Sequence, residues 1–296
     1  MNLAIISLGG PGGKKIATAA SKFFNQVDLI SIKDLVVHIQ KDGIKVLHGQ
    51  KELKHYDCIY LRGSFKYALL QRSISEALYG KCYMPLVPSA FTIGHDKFLT
   101  SVILKQEGIA TPETHLALTT KAAKSLLKKV HYPIIMKIPS GTHGKGVMFA
   151  DTQSSANTIL DTLEVFKQPF IIQEYIETGR SKAEDLRAIV AGNKVIGAMK
   201  RTAASDDLRA NIHMGGSGEG LTLSYEQEQI AVKAAKALGC DLCAVDILDN
   251  GKQAYVIEVN TSPGLKGIST ATRKNMGHHV AKFLSDQTKQ FLEAKK

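Results

Sequence analysis

The segment that begins at Asp246 and ends at Asn260 constrains the fold of this chain more than any other part of its sequence. Two apolar runs flank a turn that contains Asn250-Gly251, which is the pattern of a β-hairpin. Side chains alternate between the two faces of a strand, so Glu258 and Asn260 point the same way. Asp246 shares their face if the turn contains an odd number of residues. The opposite face is then apolar and carries Val245, Ile247, Tyr255, Ile257 and Val259.

An oxygen-rich face of this kind predicts a metal site. Asp246, Glu258 and Asn260 offer hard oxygen ligands, and Mg²⁺ prefers one or two carboxylates together with substrate phosphates. The alternative is a solvated hairpin, because exposed acidic side chains are common on protein surfaces. The alignment of three such side chains on one face favours the metal site.

Length and composition describe a globular chain of two or three lobes. It has 296 residues, of which 44% are hydrophobic and 22% charged. No apolar run approaches the length of a bilayer span, and the short N-terminal run is interpreted as a first strand. Four cysteines without an export signal predict reduced thiols and a cytoplasmic protein that does not contact a membrane.

The net charge of +11 favours acidic partners, such as nucleotides, polyglutamate, an acidic protein or nucleic acid. Charge alone does not choose among them. The basic residues form no stripe, and aromatic residues make up only 6% of the sequence. Both observations argue against a nucleic-acid partner.

The order of apolar runs predicts an α/β protein. Over residues 1–92, strands and helices alternate, which favours an open parallel sheet. We predict strands there at 3–8, 27–31, 58–61 and 84–87, and helices at 14–24 and 69–79. Beyond residue 92 we predict helices at 98–106, 119–130 and 225–238, strands at 134–138, 147–150 and 170–174, an antiparallel pair at 186–190 and 195–199, and a basic helix at the end.

A glycine-rich loop after the strand that ends near Lys137 predicts a phosphate clamp. Gly144 and Gly146 let backbone N–H groups approach phosphate oxygens closely, and Lys137 adds a positive charge. The loop does not have the Walker pattern. An ordinary hairpin turn is the alternative, since glycine is common in turns of any function.

Gln173, Glu174 and Tyr175 stand at a predicted lobe boundary. A linker in such a place can bond an adenine edge through its backbone while a carboxylate holds the ribose. On its own this short segment is a weak signal for nucleotide binding.

Basic and amide side chains follow on the way to the hairpin, as Asp185 with Arg187 and then Arg209 with Asn211. Arginine forks suit carboxylates and phosphates. Each of these is a plain surface residue in the alternative interpretation. Their order along the chain favours a combined site.

Two further segments are candidates for substrate binding. The glycine-rich turn from Gly9 to Gly13 precedes Lys14 and resembles an anion-binding turn at a helix N-terminus. Arg62 follows a predicted strand, and ligands often bind at the carboxyl ends of parallel strands. Plain connectors are the alternative for both.

Taken in order, these motifs resemble the ATP-grasp superfamily and, within it, the RimK-type α-L-glutamate ligases. The resemblance covers residues 93–270 and begins with His95-Asp-Lys97. Two segments make it specific, namely Arg209-Ala-Asn211-Ile-His-Met-Gly-Gly216 and Glu258-Val-Asn260-Thr-Ser-Pro-Gly-Leu-Lys-Gly267.

The resemblance implies an α/β fold made of α+β lobes, with ATP held between two of them. An N-terminal Rossmann-like pre-ATP-grasp domain would occupy residues 1–92 and bind substrate. A central ATP-grasp lid domain would occupy residues 93–172. A C-terminal ATP-grasp domain with the metal hairpin would occupy residues 173–296.

The resemblance also implies roles for individual residues in binding phosphates, adenine, ribose and metal. The implied nucleotide-binding set is Lys97, Lys137, Gly144, Gly146, Gln173, Glu174, Tyr175, Asp185, Arg187, Arg209 and Asn211. Lys137, Arg209 and Asn211 would act on the transferred phosphoryl group. Asp246, Glu258 and Asn260 would hold two Mg²⁺ or Mn²⁺ ions.

The implied activity is amide-bond formation. ATP converts a carboxylate into an acylphosphate, which an amine then attacks, and this chemistry needs positioning and charge neutralisation more than a protein nucleophile. We expect addition of L-glutamate to the carboxyl end of a protein, as in ribosomal-protein ligases. A pterin or deazaflavin coenzyme and an acidic amino-group carrier protein are alternative acceptors. A non-catalytic nucleotide sensor is an alternative of another class, and the resemblance further implies a homo-oligomer.

Overall fold

The computed structural model describes residues 1–139, 146–165, 169–178, 182–203 and 216–296. The strands in these ranges are β1 (Asn2–Ser7), β2 (Gln26–Ser31), β3 (Leu35–Gln40), β4 (Gly43–His48), β5 (Lys51–Glu52), β6 (Cys58–Leu61), β7 (Thr114–Ala117), β8 (Ile134–Lys137), β9 (Val147–Ala150), β10 (Phe170–Glu174), β11 (Glu184–Ala191), β12 (Lys194–Thr202), β13 (Ser217–Leu221), β14 (Leu242–Asp249) and β15 (Ala254–Asn260). The helices are α1 (Pro11–Ala20), α2 (Ala68–Leu78), α3 (Ala90–Ile93), α4 (Lys97–Gln106), α5 (Thr120–Leu127), α6 (Gln153–Val165), α7 (Tyr225–Ala237), α8 (Lys266–Thr272) and α9 (Met276–Glu293).

The first part of the chain contains a parallel sheet of order β2-β1-β6, as the alternation of strands and helices predicts. The strand predicted at 84–87 is wrong. The structure has only isolated bridges there, from Tyr83 to Cys58 and from Leu86 to Cys240. Pro85 lies within this short segment and Pro88 follows it, and proline has no N–H to donate to a strand ladder.

A small antiparallel sheet of order β3-β4-β5 was not predicted. It interrupts the alternation that the sequence suggested for residues 1–92. The available signal was the Asp42-Gly43 pair, since Gly43 adopts a φ of +138° where β4 begins. The sheet is a hairpin with a short third strand, so it does not change the α/β class.

Two larger antiparallel sheets follow. The sheet β7-β10-β8-β9 packs against α5 and α6, and the sheet β13-β12-β11-β14-β15 packs against α7. A capping box starts α7, in which the Ser224 hydroxyl accepts from Gln227 N and the Gln227 side chain accepts from Ser224 N. The prediction of a helix at 225–238 is confirmed to within one residue.

The buried apolar side chains form two separate cores. One core combines residues from 3–109 with residues from 186–284, and the other contains only residues from 117–172. Helix α9 lies along α1 and reaches β6, so the last helix helps to cover the first sheet. The division into domains at residues 92 and 172 stays a prediction. None of the described helices is long and apolar enough to cross a membrane.

Candidate active site

The β14–β15 hairpin aligns its acidic side chains as predicted, but a β-bulge produces the alignment and not an odd number of turn residues. Asp246 lies directly opposite Glu258, and Asn260 lies two residues further along the same strand face. The turn comprises residues 250–253, an even number, so the expectation of an odd turn is wrong. The extra residue is a β-bulge at Ile257, which shifts the register between Asp246 and Ile247.

The bulge also corrects the predicted apolar face. Val245, Ile247, Val256 and Val259 are fully buried, as are Leu242, Cys243 and Ala244 earlier on β14. Tyr255 and Ile257, which simple alternation assigns to the same face, are only half-buried. A bulge puts two residues opposite one, so alternation cannot be extended across it.

Two arginines bind the carboxylate of Asp246. Arg187 lies opposite it on β11 and donates from Nε to Oδ1 at 2.7 Å and from Nη2 to Oδ2 at 2.5 Å. Arg201 on β12 donates from Nη2 to Asp246 Oδ2 at 3.0 Å. Arg201 also makes two bonds to Asp185, from Nε at 2.5 Å and from Nη2 at 2.6 Å. The four side chains form one buried, charge-balanced network across three strands.

Burial and pairing have opposite results for the two carboxyl groups of this network. Burial raises the pKa of Asp185 to about 6, although Arg201 opposes the shift. Burial also acts to raise the pKa of Asp246, but Arg187 and Arg201 together hold it down at about 2. Asp246 therefore keeps its negative charge throughout the physiological range.

Lys137 lies at the end of β8 and is buried. Its Nζ donates to Gln173 Oε1 at 2.7 Å, and Gln173 Nε2 donates in turn to Thr114 Oγ1 at 2.7 Å. Burial, followed by the charge of Lys97, lowers the pKa of Lys137 to about 8, and the charge of Glu258 opposes the shift. The ammonium group is thus positioned by an amide and electrostatically coupled to the metal-type hairpin.

Lys97 begins α4, next to the same strand end. The Asp96 side chain caps the helix by accepting from Phe98 N and Leu99 N, each at 2.9 Å. The backbone N–H of Lys97 donates to Pro139 O at 3.1 Å. This bond ties the start of α4 to the segment that leaves β8, so the two predicted phosphate-binding lysines belong to one region.

The predicted adenine segment forms the end of β10. Glu174 is exposed, and its carboxylate accepts from Glu113 N at 3.1 Å while its own N–H donates to Glu113 O at 2.9 Å. The ring of Tyr175 lies edge-on to Phe149 on β9, with centroids 5.3 Å apart. The segment therefore runs between β9 and the connection that leads into β7.

Gly146 precedes β9 with a φ of +77°, and an added Cβ would lie 3.0 Å from Ile138 Cγ1. Glycine is required here by both conformation and space. Gly144, Arg209 and Asn211 lie outside the described residues, so their predicted roles stay predictions.

Register brings most of the remaining predicted residues to one face. Asp185 and Arg187 are two residues apart on β11 and share a face. Arg187 lies opposite Asp246, and Asp246 lies opposite Glu258. The charge of Glu258 also acts on Arg187. Arg201 is not among the predicted site residues. Its pairing with Asp185 depends on the β11–β12 register, which motif spacing does not reveal.

The donor set of the hairpin fits a magnesium-type ion. Within the described ranges, no group of three or more His, Cys, Asp or Glu side chains could hold a metal. Asp246 and Glu258 supply only two carboxylates, and Asn260 adds an amide whose Oδ1 accepts from Ser262 N at 2.9 Å. Carboxylate and amide oxygens have further lone pairs, and Mg²⁺ usually completes its shell with phosphates and water.

Comparison with known proteins identifies the family. The profile of the RimK-like ATP-grasp domain matches residues 94–284, more than half of the chain. The chain belongs to the RimK-like ATP-grasp family. The predicted resemblance is therefore confirmed.

Relatives of the RimK family match nearly the whole chain. A protein of Pseudoalteromonas atlantica named Probable alpha-L-glutamate ligase 2 is 32% identical over 278 residues, which is 93% of this chain and 92% of that protein. The Probable alpha-L-glutamate ligase of Vibrio atlanticus is 32% identical over 269 residues, 90% of this chain and 88% of that protein. As a RimK-like ATP-grasp protein, the chain is an ATP-dependent ligase that forms a carbon–nitrogen bond.

Solved structures share the fold at low identity. The ATP-grasp ligase PsnB, complexed with a minimal precursor, has a TM-score of 0.74 and 16% identity over 97% of this chain and 98% of that chain. The D-alanine–D-alanine ligase of Bacillus anthracis, complexed with ATP, has a TM-score of 0.67 and 16% identity over 100% of both chains. These likenesses confirm the predicted α/β ATP-grasp fold.

Proposed function

We propose that this chain uses ATP and Mg²⁺ to activate a carboxylate as an acylphosphate and joins it to the amino group of L-glutamate. The acceptor carboxylate is the C-terminus of a protein. L-Glutamate is proposed because the relatives are named as α-L-glutamate ligases. The acidic tail of such an acceptor suits the chain's net charge of +11.

One observation carries the proposal, which is that the predicted metal-binding hairpin β14–β15 lies close to Lys137, the predicted phosphate-binding lysine. Asp246 and Glu258 pair directly across two strands, and Glu258 is close enough to Lys137 to act on its pKa. A triphosphate needs both a metal ligand set and a nearby ammonium group, and this arrangement offers the two together.

The described side chains have distinct tasks in this reaction. Lys137, held by Gln173, neutralises phosphate charge, and Lys97 adds a second cation at the start of α4. Asp246, Glu258 and Asn260 would hold Mg²⁺, which would supply charge neutralisation at the phosphates. Arg187 and Arg201 fix the orientation of Asp246 through their hydrogen bonds. Two ions, the use of Mn²⁺ and a homo-oligomeric state stay predictions.

The experiment incubates the purified enzyme with isotope-labelled L-glutamate, ATP and Mg²⁺ in a lysate of the source cells. Mass spectrometry then follows the label. We expect labelled glutamate at the C-terminus of one or a few proteins, and none with a Glu258→Ala variant. A Glu76→Gln variant, altered in an exposed carboxylate on α2, is the matched control and keeps full activity.

Label in a small molecule would contradict the protein acceptor and indicate a coenzyme or another metabolite. Label that attaches equally well with Glu258→Ala would contradict the assignment of the metal hairpin. If neither pool is labelled although ATP binds tightly, glutamate ligation is wrong and the nucleotide-sensor alternative returns.

A further inference from the structure

Arg62 is a buried arginine without an acidic partner among the described residues. Arg62 is only 8% exposed. Its guanidinium donates hydrogen bonds to the Tyr60 hydroxyl at 2.9 Å and to Pro263 O at 2.7 Å, and both acceptors are neutral. Arg201, which is buried, and Arg187, which is half-buried, each bind an aspartate. A buried guanidinium is stabilised by an anion, so the neutral surroundings of Arg62 require explanation.

The position of Arg62 links the first sheet to the metal hairpin. It follows the carboxyl end of β6, and Pro263 O, which it binds, lies just after Asn260. The next residue, Gly63, donates its N–H to Ser262 Oγ at 3.0 Å, and Ser262 N donates to Asn260 Oδ1 at 2.9 Å. A few bonds therefore connect the guanidinium with a predicted metal ligand.

The first turn of α1, which overlaps the glycine-rich segment from Gly9 to Gly13, lies against the same guanidinium. A Cβ added at Gly12 would come within 3.3 Å of Arg62 Nη2, so the backbone of the turn is in close contact with the charge. Helix α1 has no acidic residue in its first turn. The helix N-terminus and the guanidinium therefore both favour an anion at the carboxyl edge of the parallel sheet.

We propose that Arg62 binds a carboxylate group of a substrate, next to the turn from Gly9 to Gly13. This assignment rests on the proposed function, because a ligase of this kind brings carboxylates to the hairpin. The carboxylate belongs either to the acceptor or to the incoming amino acid. In both cases one or two of the five guanidinium N–H groups turn to the ligand.

A binding measurement without turnover tests this assignment. Calorimetry on the ADP- and Mg²⁺-loaded protein uses four probes, which are L-glutamate, its α-amide, a short peptide ending in glutamate, and the same peptide as its C-terminal amide. The variants are Arg62→Gln and Arg62→Lys, and the control is Arg72→Gln, which alters a partly exposed arginine on α2. Melting temperatures are measured for all of them.

We expect Arg62→Gln to weaken binding of one carboxylate probe by about 10- to 100-fold, the loss typical of a hydrogen bond to a charged group. Binding of the matching amide and of ADP should not change, and Arg62→Lys should restore part of the affinity. A loss confined to L-glutamate identifies the amino-acid site, and a loss confined to the peptide identifies the acceptor site.

Three results would overturn the assignment. The first is a fully folded Arg62→Gln variant that binds every probe like the wild type. The second is a loss of ADP and probe binding together with thermal stability in both variants, as a purely structural tie requires. The third is a wild-type protein that binds ADP but no carboxylate probe. Failure of the proposed function is distinguishable, because it appears as absent ADP binding or absent labelling rather than as a change confined to Arg62 variants.

Discussion

Asp246 and Glu258 face each other across the hairpin but differ in their ion pairs. Asp246 binds two arginines, whereas Glu258 makes no ion pair with any residue in the described part of the chain. Both are predicted metal ligands. Their substitutions should therefore have the same effect on activity and different effects on stability.

We predict that Asp246→Asn and Glu258→Gln both abolish turnover, while only Asp246→Asn strongly lowers the free energy of unfolding. Removing one partner from a buried ion pair costs about 3 kcal/mol, because the remaining charges lose their compensation. Glu258→Gln should change stability by less than about 1 kcal/mol. Urea unfolding measures both values. Equal destabilisation by the two variants would contradict the arginine network.

Lys137 gives the site a pH dependence. Burial lowers its pKa to about 8, so the free enzyme loses this positive charge as pH rises above that value. We predict that the affinity for ADP with Mg²⁺ is constant below pH 8 and falls above it, by up to about tenfold per pH unit. Calorimetric titration between pH 7 and 9.5 measures this slope. A Lys137→Met variant should bind weakly with no such slope, and an unchanged slope would assign the titration to another group.

At the residue scale, the sequence predicts which side chains share a face of one strand. It does not predict which side chains meet across two strands, because that depends on how the strands are paired. Glu258 and Asn260 follow from alternation along a single strand. The pairing of Asp185 with Arg201 needs the alignment of β11 with β12, and the placement of Arg62 beside Pro263 needs contact between distant parts of the chain. Neither alignment is encoded in a local spacing.

Among the elements, the β14–β15 hairpin shows how a strand irregularity aims side chains. The bulge at Ile257 compensates for the even turn and brings Glu258 opposite Asp246. The sequence predicts the hairpin from Asn250-Gly251 and its apolar runs. It does not predict the bulge, because the type of residue at position 257 does not distinguish a bulge from a regular strand position.

The start of β9 offers a prediction about the glycine-rich loop that is predicted to clamp phosphate. Gly146 and Gly80 both have a φ of +77°, but only Gly146 has a neighbour within 4 Å of an added Cβ, which is Ile138. We predict that Gly146→Ala raises the KM for ATP several-fold, because the altered loop meets the nucleotide phosphates less closely. Gly80→Ala imposes the same backbone strain in open space and is the control. Steady-state kinetics with equal KM values for the two variants would contradict a role of Gly146 in this loop.

The molecule as a whole contains a large core and a small one. The small core, from residues 117–172, contributes β8 and β10 to the site, and the large core contributes β11 and β14. Nucleotide binding at the proposed site joins side chains from both.

We predict that amide hydrogens of β8 and β10 exchange faster than those of β11 and β14 in the nucleotide-free protein, since a smaller core opens at lower free energy. ADP with Mg²⁺ should slow exchange in β8 and β10 most. Hydrogen-exchange mass spectrometry measures both states. Equal rates in the two sheets without nucleotide would indicate that the two cores open as one unit.

The fold class follows from the sequence at this scale because ordered motifs identify the family even where elements are misjudged. The sequence does not predict that the first and last parts of the chain share one core. Helix α9 is amphipathic and could cover many surfaces. Only the structure shows that it packs along α1, and that the ring of Phe23, just after α1, lies 5.2 Å from the ring of His278.

That packing has a consequence for biosynthesis. A ribosome delivers β1, β2 and β6 early, but Met276, Val280 and Leu284 of α9, which share their core, emerge much later. Until then, part of the apolar surface around α1 has no cover. Chaperone contact during translation should therefore be strongest on α1 and the first sheet and should end when α9 leaves the exit tunnel.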